Sequence, residues 1–91
     1  MIGIMFAAAL SASDIEFCNS LERLALAASG AYQRGVSVTE LYQLAGGEVV
    51  YQGVISEATS GPIFSTPEMQ NKASRDVSAK VAKYCISEMK K

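Results

Sequence analysis

The chain has 91 residues, 49% of them apolar, with a mean hydropathy of +0.18 and a formal charge of −1. That length holds one small domain and excludes a TIM barrel or a two-domain dinucleotide-binding enzyme, while the near-neutral charge promises neither nucleic-acid nor strongly acidic partners. With no histidine and only two cysteines, the usual zinc, haem, Ser-His and Cys-His constellations are missing.

The apolar residues crowd toward the N-terminus. Residues 1–13, MIGIMFAAALSAS, are apolar at ten of thirteen positions, against 35 of the other 78. Ile2 to Leu10 is an uncharged run of nine, the length of a signal-peptide hydrophobic region and far short of the roughly 20 residues that span a bilayer. Ser11-Ala12-Ser13 then places small side chains at −3 and −1 for a cut before Asp14, and a cut after Ser11 or Ala12 also falls among small residues. Residues 1–13 are therefore predicted to be a signal peptide, and 14–91 a single helical domain in the periplasm or outside the cell. The alternative is an uncleaved N-terminal helix in a cytosolic or virion assembly component.

Cys18 and Cys85 frame nearly all of the remaining chain. If they pair, they tie the ends of the domain together, contributing roughly 4 kcal/mol by chain entropy, a large share of what so small a core supplies. The other reading is two buried free thiols in a reducing compartment. Ile15-Glu16-Phe17 ahead of Cys18 is not the small-residue run that lipidation of that cysteine needs.

Ser13 and Glu16 have capping-box spacing, which starts a first helix there. Its buried side is marked by Phe17, Cys18, Leu21, Leu24, Ala25, Ala28 and Tyr32, which recur at three or four residues, and Gly35 ends it. Ser37 and Glu40 form a second capping box, with Val36 and Leu41 as a hydrophobic staple. Leu41, Tyr42, Leu44 and Ala45 give this short helix its apolar side before Gly46-Gly47 stops it. Glu48 opens a third stretch. The β-branched and aromatic residues from Glu48 to Val54 also suit a strand, but no partner strand is visible, and Val50, Val54, Ile55 and Ala58 fit a helical stripe. Ser60-Gly61-Pro62 breaks the chain, and Ile63-Phe64 is expected to cross the core in extended form. Thr66-Pro67-Glu68 then starts the last and longest helix, along which Ala73, Val77, Val81, Tyr84 and Cys85 share one face. Four segments with short connections read as an all-α bundle of about four helices. An antiparallel first and last helix would bring Cys18 to Cys85.

Charge is more polarised than its net value. Residues 1–68 carry two basic and seven acidic side chains, whereas residues 69–91 carry six basic and two acidic. On a helical wheel Lys72, Arg75, Lys80, Lys83 and Lys90 cluster opposite the apolar face, a basic ridge on an acidic body. Such a ridge is most often the wet side of its helix. Its two functional readings are a docking surface for an acidic partner and a contact with anionic membrane headgroups. With no aromatic-lined basic groove, it does not make a nucleic-acid site.

No phosphate-loop, dinucleotide or C-x-x-C motif occurs, and no histidine can act as a base near neutral pH. Glu40 and Glu68 are explained by helix starts, and the other acids are scattered. No catalytic residue, metal ligand or cofactor is predicted. Tyr32, Tyr42, Tyr51 and Tyr84 read as core rather than as the lining of a small-molecule pocket. The loop from Gly61 to Pro67, with Ile63 and Phe64, is the candidate recognition segment.

One cysteine early in the first helix, the helix start Gly35-Val36-Ser37 and a last helix ending in Tyr84-Cys85 make the chain similar to small periplasmic two-cysteine helical proteins of proteobacteria and their prophages. That group has no assigned activity, so the resemblance assigns no functional residue. The periplasmic acid-stress chaperones are similar in size, helix content and possession of one disulfide, although here the second cysteine lies at the far end of the last helix rather than mid-chain. The expectation is an exported, non-catalytic protein that acts by binding another envelope protein, as an inhibitor, immunity or exclusion factor.

Overall fold

The structure, a computed structural model, describes residues 10–90; residues 1–9 of the predicted export segment lie outside it. Four helices follow in chain order: α1 (Ala12–Gln33), α2 (Val38–Gln43), α3 (Val49–Ala58) and α4 (Pro67–Met89). There is no strand among the described residues, so the stretch from Glu48 to Val54 resolves as helix. None of the described helices is long and apolar enough to cross a membrane.

Each helix is bounded by local chemistry. Ser11, rather than Ser13, caps α1: its Oγ accepts the Asp14 N–H at 3.1 Å, and Ser13 sits inside the first turn with its Oγ 3.1 Å from that of Ser11. Ser11 and Asp14 repeat the serine-acid spacing two residues upstream, and the helix runs back to that earlier cap. At the other end Gly35 takes φ 97°. Its N–H reaches the Tyr32 carbonyl and the Val36 N–H reaches that of Ala31, both at 3.0 Å. These are the two bonds of a Schellman stop, and Val36 packs with Ala31 against the core as that motif favours. Ser37 caps α2 by accepting the Glu40 N–H at 3.2 Å, while the Glu40 carboxylate takes the Ser37 hydroxyl at 3.3 Å instead of its backbone N–H. Thr66 caps α4 through the Met69 N–H at 3.2 Å, with Pro67 in the first turn.

α1 is the hub. It packs most extensively on α4, next on α3 and least on α2. The α1–α4 pair is antiparallel, and its register is fixed twice. The Cys18–Cys85 disulfide joins them with Cα atoms 5.6 Å apart, and the Ser74 hydroxyl meets the Ser29 hydroxyl at 3.1 Å. Cys18 and Ser29 are eleven residues apart on α1, as are Ser74 and Cys85 on α4. Eleven residues is close to three full turns, so both contacts lie on one stripe of each helix.

Two apolar clusters fill the bundle. Cys18, Leu21, Ala25, Val54, Val81 and Cys85 form the first, beside the disulfide. Ala28, Leu41, Ala45, Ile55 and Ala58 form the second, where α2 and α3 close over the C-terminal half of α1. The staple pair Val36 and Leu41 meets in this second cluster.

Three expectations fail, two of them through the way α4 seats on α1. Its buried stripe is Ser74, Ser78, Val81 and Cys85, and with Cys85 pinned, Tyr84 is turned about 100° away and is 68% exposed. Small residues on both helices let α1 and α4 meet directly, which leaves no space for Ile63-Phe64 to cross. Ile63 is exposed and Phe64 half-buried at the surface. In the two short helices, Leu44 and Val50 face outward because Leu41, Val54 and Ile55 take the α1-facing positions.

Reduction of the disulfide, or Cys18→Ser with Cys85→Ser, is expected to lower the free energy of unfolding by about 4 kcal/mol, read from urea unfolding with and without reductant. A loss below about 1 kcal/mol would show that α1 and α4 hold their register without it.

Candidate functional site

The loop between α3 and α4 is held by side chains rather than by backbone pairing. Gln33 ends the buried stripe of α1 and is itself buried. Its Nε2 donates to the Pro62 carbonyl at 2.9 Å and its Oε1 accepts the Phe64 N–H at 2.8 Å. Alongside it the Tyr32 hydroxyl donates to the Gly61 carbonyl at 2.7 Å, and Gln70 Nε2 of α4 donates to the Phe64 carbonyl at 2.7 Å.

This clamp dictates what faces outward. In a trans peptide the carbonyl of one residue and the N–H of the next point in opposite directions, and the described chain has no cis bond. Because the Pro62 carbonyl points in to Gln33, the Ile63 N–H points out. Because the Phe64 N–H points in, the Ile63 carbonyl points out. Neither group has a partner among the described residues, and the Ile63 side chain between them is 54% exposed. The loop therefore presents one aliphatic side chain flanked by a free donor and a free acceptor, on a backbone fixed from behind.

Beneath the loop lies a notch of about 250 Å³ lined by Ser29, Tyr32, Gln33, Ala58 and Phe64, with Glu57, Asp76 and Lys80 toward its mouth. Its polar groups are already engaged, and its volume is below the ~300 Å³ at which small-molecule pockets begin.

The five predicted basic residues are all exposed on α4. Lys72, Lys83 and Lys90 are spaced by eleven and seven residues, close to whole turns, so they share one line over about 27 Å of helix. Two of the five are paired: Lys72 with Asp76 at 2.8 Å, one turn on, and Lys80 with Glu57 of α3 at 3.0 Å. The positive surface is thereby concentrated at Arg75, Lys83 and Lys90. Only the N-terminal half of α4 lies beside the loop: Gln70 bonds the Phe64 carbonyl and Lys80 shares the notch with Phe64, and neither Lys83 nor Lys90 lines that notch.

A second concavity lies toward the disulfide. It is an apolar groove of about 570 Å³ between α3 and α4, with Leu21, Val54, Val81 and Cys85 among its lining. The four tyrosines do not converge: Tyr84 lines this groove, Tyr32 lines the loop notch, and Tyr42 and Tyr51 are exposed elsewhere. Among the described residues no group of three or more Cys, Asp or Glu side chains is placed to hold a metal ion.

The sequence marks the loop as a candidate recognition segment but Gln33, which holds it, goes unmarked, although a signal is present: it is a polar side chain at a position the 3–4 spacing of α1 assigns to the core. No family model, curated protein or solved structure matches the chain.

Gln33→Ala removes both clamp bonds at once. Stability is expected to fall by about 2 kcal/mol, and the Phe64 amide to exchange with solvent faster in NMR hydrogen-exchange measurements. An unchanged Phe64 rate would show that something other than Gln33 holds the loop.

Proposed function

We propose that this is an exported, non-catalytic binding protein of the cell envelope, whose clamped loop docks Ile63 into an aliphatic pocket of a protein partner. The observation that carries the reading is the Gln33 clamp. A loop ordered in advance loses less conformational entropy on association, so more of its contact energy appears as affinity. The free N–H and carbonyl of Ile63 suit a partner that reads an extended backbone by main-chain hydrogen bonds and one side chain by a pocket. Inhibitor, immunity and exclusion factors all act in this way, by occupying a partner's surface rather than by chemistry.

Two further features support the compartment and the partner's charge. Disulfides persist in oxidising compartments such as the periplasm and extracellular space, and here one ties the first helix to the last. Arg75, Lys83 and Lys90 would steer an acidic partner, acting mainly on the rate of encounter. The predicted cleavage point gains a constraint from the α1 cap. A cut before Asp14 would remove Ser11, the residue whose hydroxyl accepts the Asp14 N–H at the start of α1.

Ile63→Asp changes only an exposed side chain, so helix content and unfolding midpoint should stay within about 0.5 kcal/mol of the parent. The protein, tagged and purified from a periplasmic extract, is expected to bring down a specific partner that Ile63→Asp loses and that Arg75→Glu/Lys83→Glu binds more slowly. Recovery of the same partner in equal yield by Ile63→Asp would overturn the loop as its site. An intact N-terminus with two free thiols, seen in the mass of the native protein, would overturn export.

A further inference from the structure

Gly53 stands in the interior of α3, where glycine costs about 1 kcal/mol relative to alanine. Nothing among the described residues requires it: its φ is not positive, and no atom beyond its own helix backbone and chain neighbours lies within 4 Å of where a Cβ would stand. It opens instead onto the apolar groove. A missing side chain on an open helix face lets another chain approach closely, so the reason for Gly53 is to be sought outside the fold.

The same face is unusually apolar. Val49 is 78% exposed, Val50 51% and Tyr84 68%, with Phe17 and Met89 each at 37%. Together these five expose on the order of 500 Å² of largely apolar surface, near the top of what a monomer carries. With its polar rim, such a patch approaches the ~800 Å² that each partner contributes to a standard interface.

We propose that this face pairs with a second copy of the chain, α3 against α3 in antiparallel fashion about a two-fold axis at the level of Tyr51. Four residues separate Val49 from Gly53, which sets a protruding side chain and a notch on one side of the same helix. About that axis Val49 of each copy enters the Gly53 notch of the other, and a single contact is made twice, as an isologous interface requires. The register sets no like charges against each other, since residues 49–53 carry none, and the Glu57–Lys80 pair closes the groove at one end. The same operation covers Val50 and the groove wall, removing the exposed apolar surface from water. This interface uses neither Ile63 nor the Gln33 clamp, and it stands or falls separately from the proposed partner site.

Self-association of the purified, oxidised protein, followed by analytical ultracentrifugation from micromolar to sub-millimolar concentration, tests it. A monomer–dimer equilibrium is expected, with Gly53→Leu and Val49→Lys each raising the dissociation constant by about tenfold or more, as loss of a central contact does. Gly53→Leu has open space at its Cβ and gains helix propensity, so circular dichroism and urea unfolding should show a fold at least as stable as the parent. Val49→Lys changes a solvent-facing side chain of the monomer and keeps the test informative should Gly53→Leu misfold. A monomer at the highest concentration would overturn the proposal. So would a dimer whose dissociation constant neither substitution moves by as much as about twofold.

Discussion

The Cys18–Cys85 bond stands in for a core that α4 does not have. Of the four buried residues of α4 two are serines, and only Val81 and Cys85 are apolar, so little hydrophobic free energy holds the longest helix to the body. Burial of Ser74 and Ser78 is made tolerable by partners, the Ser29 hydroxyl for one and the Arg75 carbonyl for the other. Satisfied hydroxyls avoid a penalty but contribute little beyond it. A domain this short buries a modest fraction of its surface in any case, and a covalent closure over 67 residues of chain supplies by restricting the unfolded state what packing does not supply in the folded one.

Pinning α4 at Cys85 also sets its rotation, and surface features follow from that angle. With Ser74, Ser78, Val81 and Cys85 turned to α1, Lys72, Lys83 and Lys90 face solvent as one line, and Tyr84 is left on the rim of the groove. Lys80 is carried round far enough to reach Glu57 of α3. The ridge is therefore less uniformly positive than a wheel drawing of α4 alone suggests, because Asp76 and Glu57 occupy two of its five cations at the loop-proximal and middle part of the helix. What stays positive is Arg75 in the N-terminal half of the helix and Lys83 and Lys90 toward its C-terminal end. Exposed pairs of this kind contribute little to stability, and their larger effect is on where an approaching charge is felt.

What could be read in advance separates by range. Caps and stops depend on a few neighbouring residues, and Ser37, Thr66-Pro67, Gly35 and the glycines at 46 and 47 all act where the local pattern places them. The disulfide was legible because an even pair of cysteines fell on the buried stripes of two helices at opposite ends of the chain. Tyr84, Leu44, Val50 and the Ile63-Phe64 segment were misread because apolar character was equated with burial, and which apolar residues a small domain buries is decided by partners distant in sequence. The cap of α1 is read at Ser13 from its spacing to Glu16, but Ser11 stands at the same spacing from Asp14 and takes the role. Gln33 and Gly53 share another kind of invisibility. Each is locally unfavourable, a polar residue on an apolar period and a glycine inside a helix, and such local conflicts tend to mark sites answering to something other than the fold.

Those two residues serve different faces: Gln33 lines the loop notch and Gly53 the groove by the disulfide, and the two concavities meet at Glu57 and Lys80. Gln33 works where α1 ends and α4 begins, holding Pro62 and Phe64 through bonds that involve neither the disulfide nor α2. Gly53 opens onto a groove that includes Cys85, so the shape of that face depends on the covalent bond being made. An oxidised chain has both ends in order. In a reduced chain α4 would be free to shift first at the groove end, where the bond sits, while the loop end retains the Gln33 and Gln70 contacts and the Thr66 cap. The apolar face around Gly53 includes the disulfide in its lining, whereas the bonds that clamp the loop do not involve it directly. A pairing surface on that face would form after oxidation and not before, because its floor is shared with the disulfide.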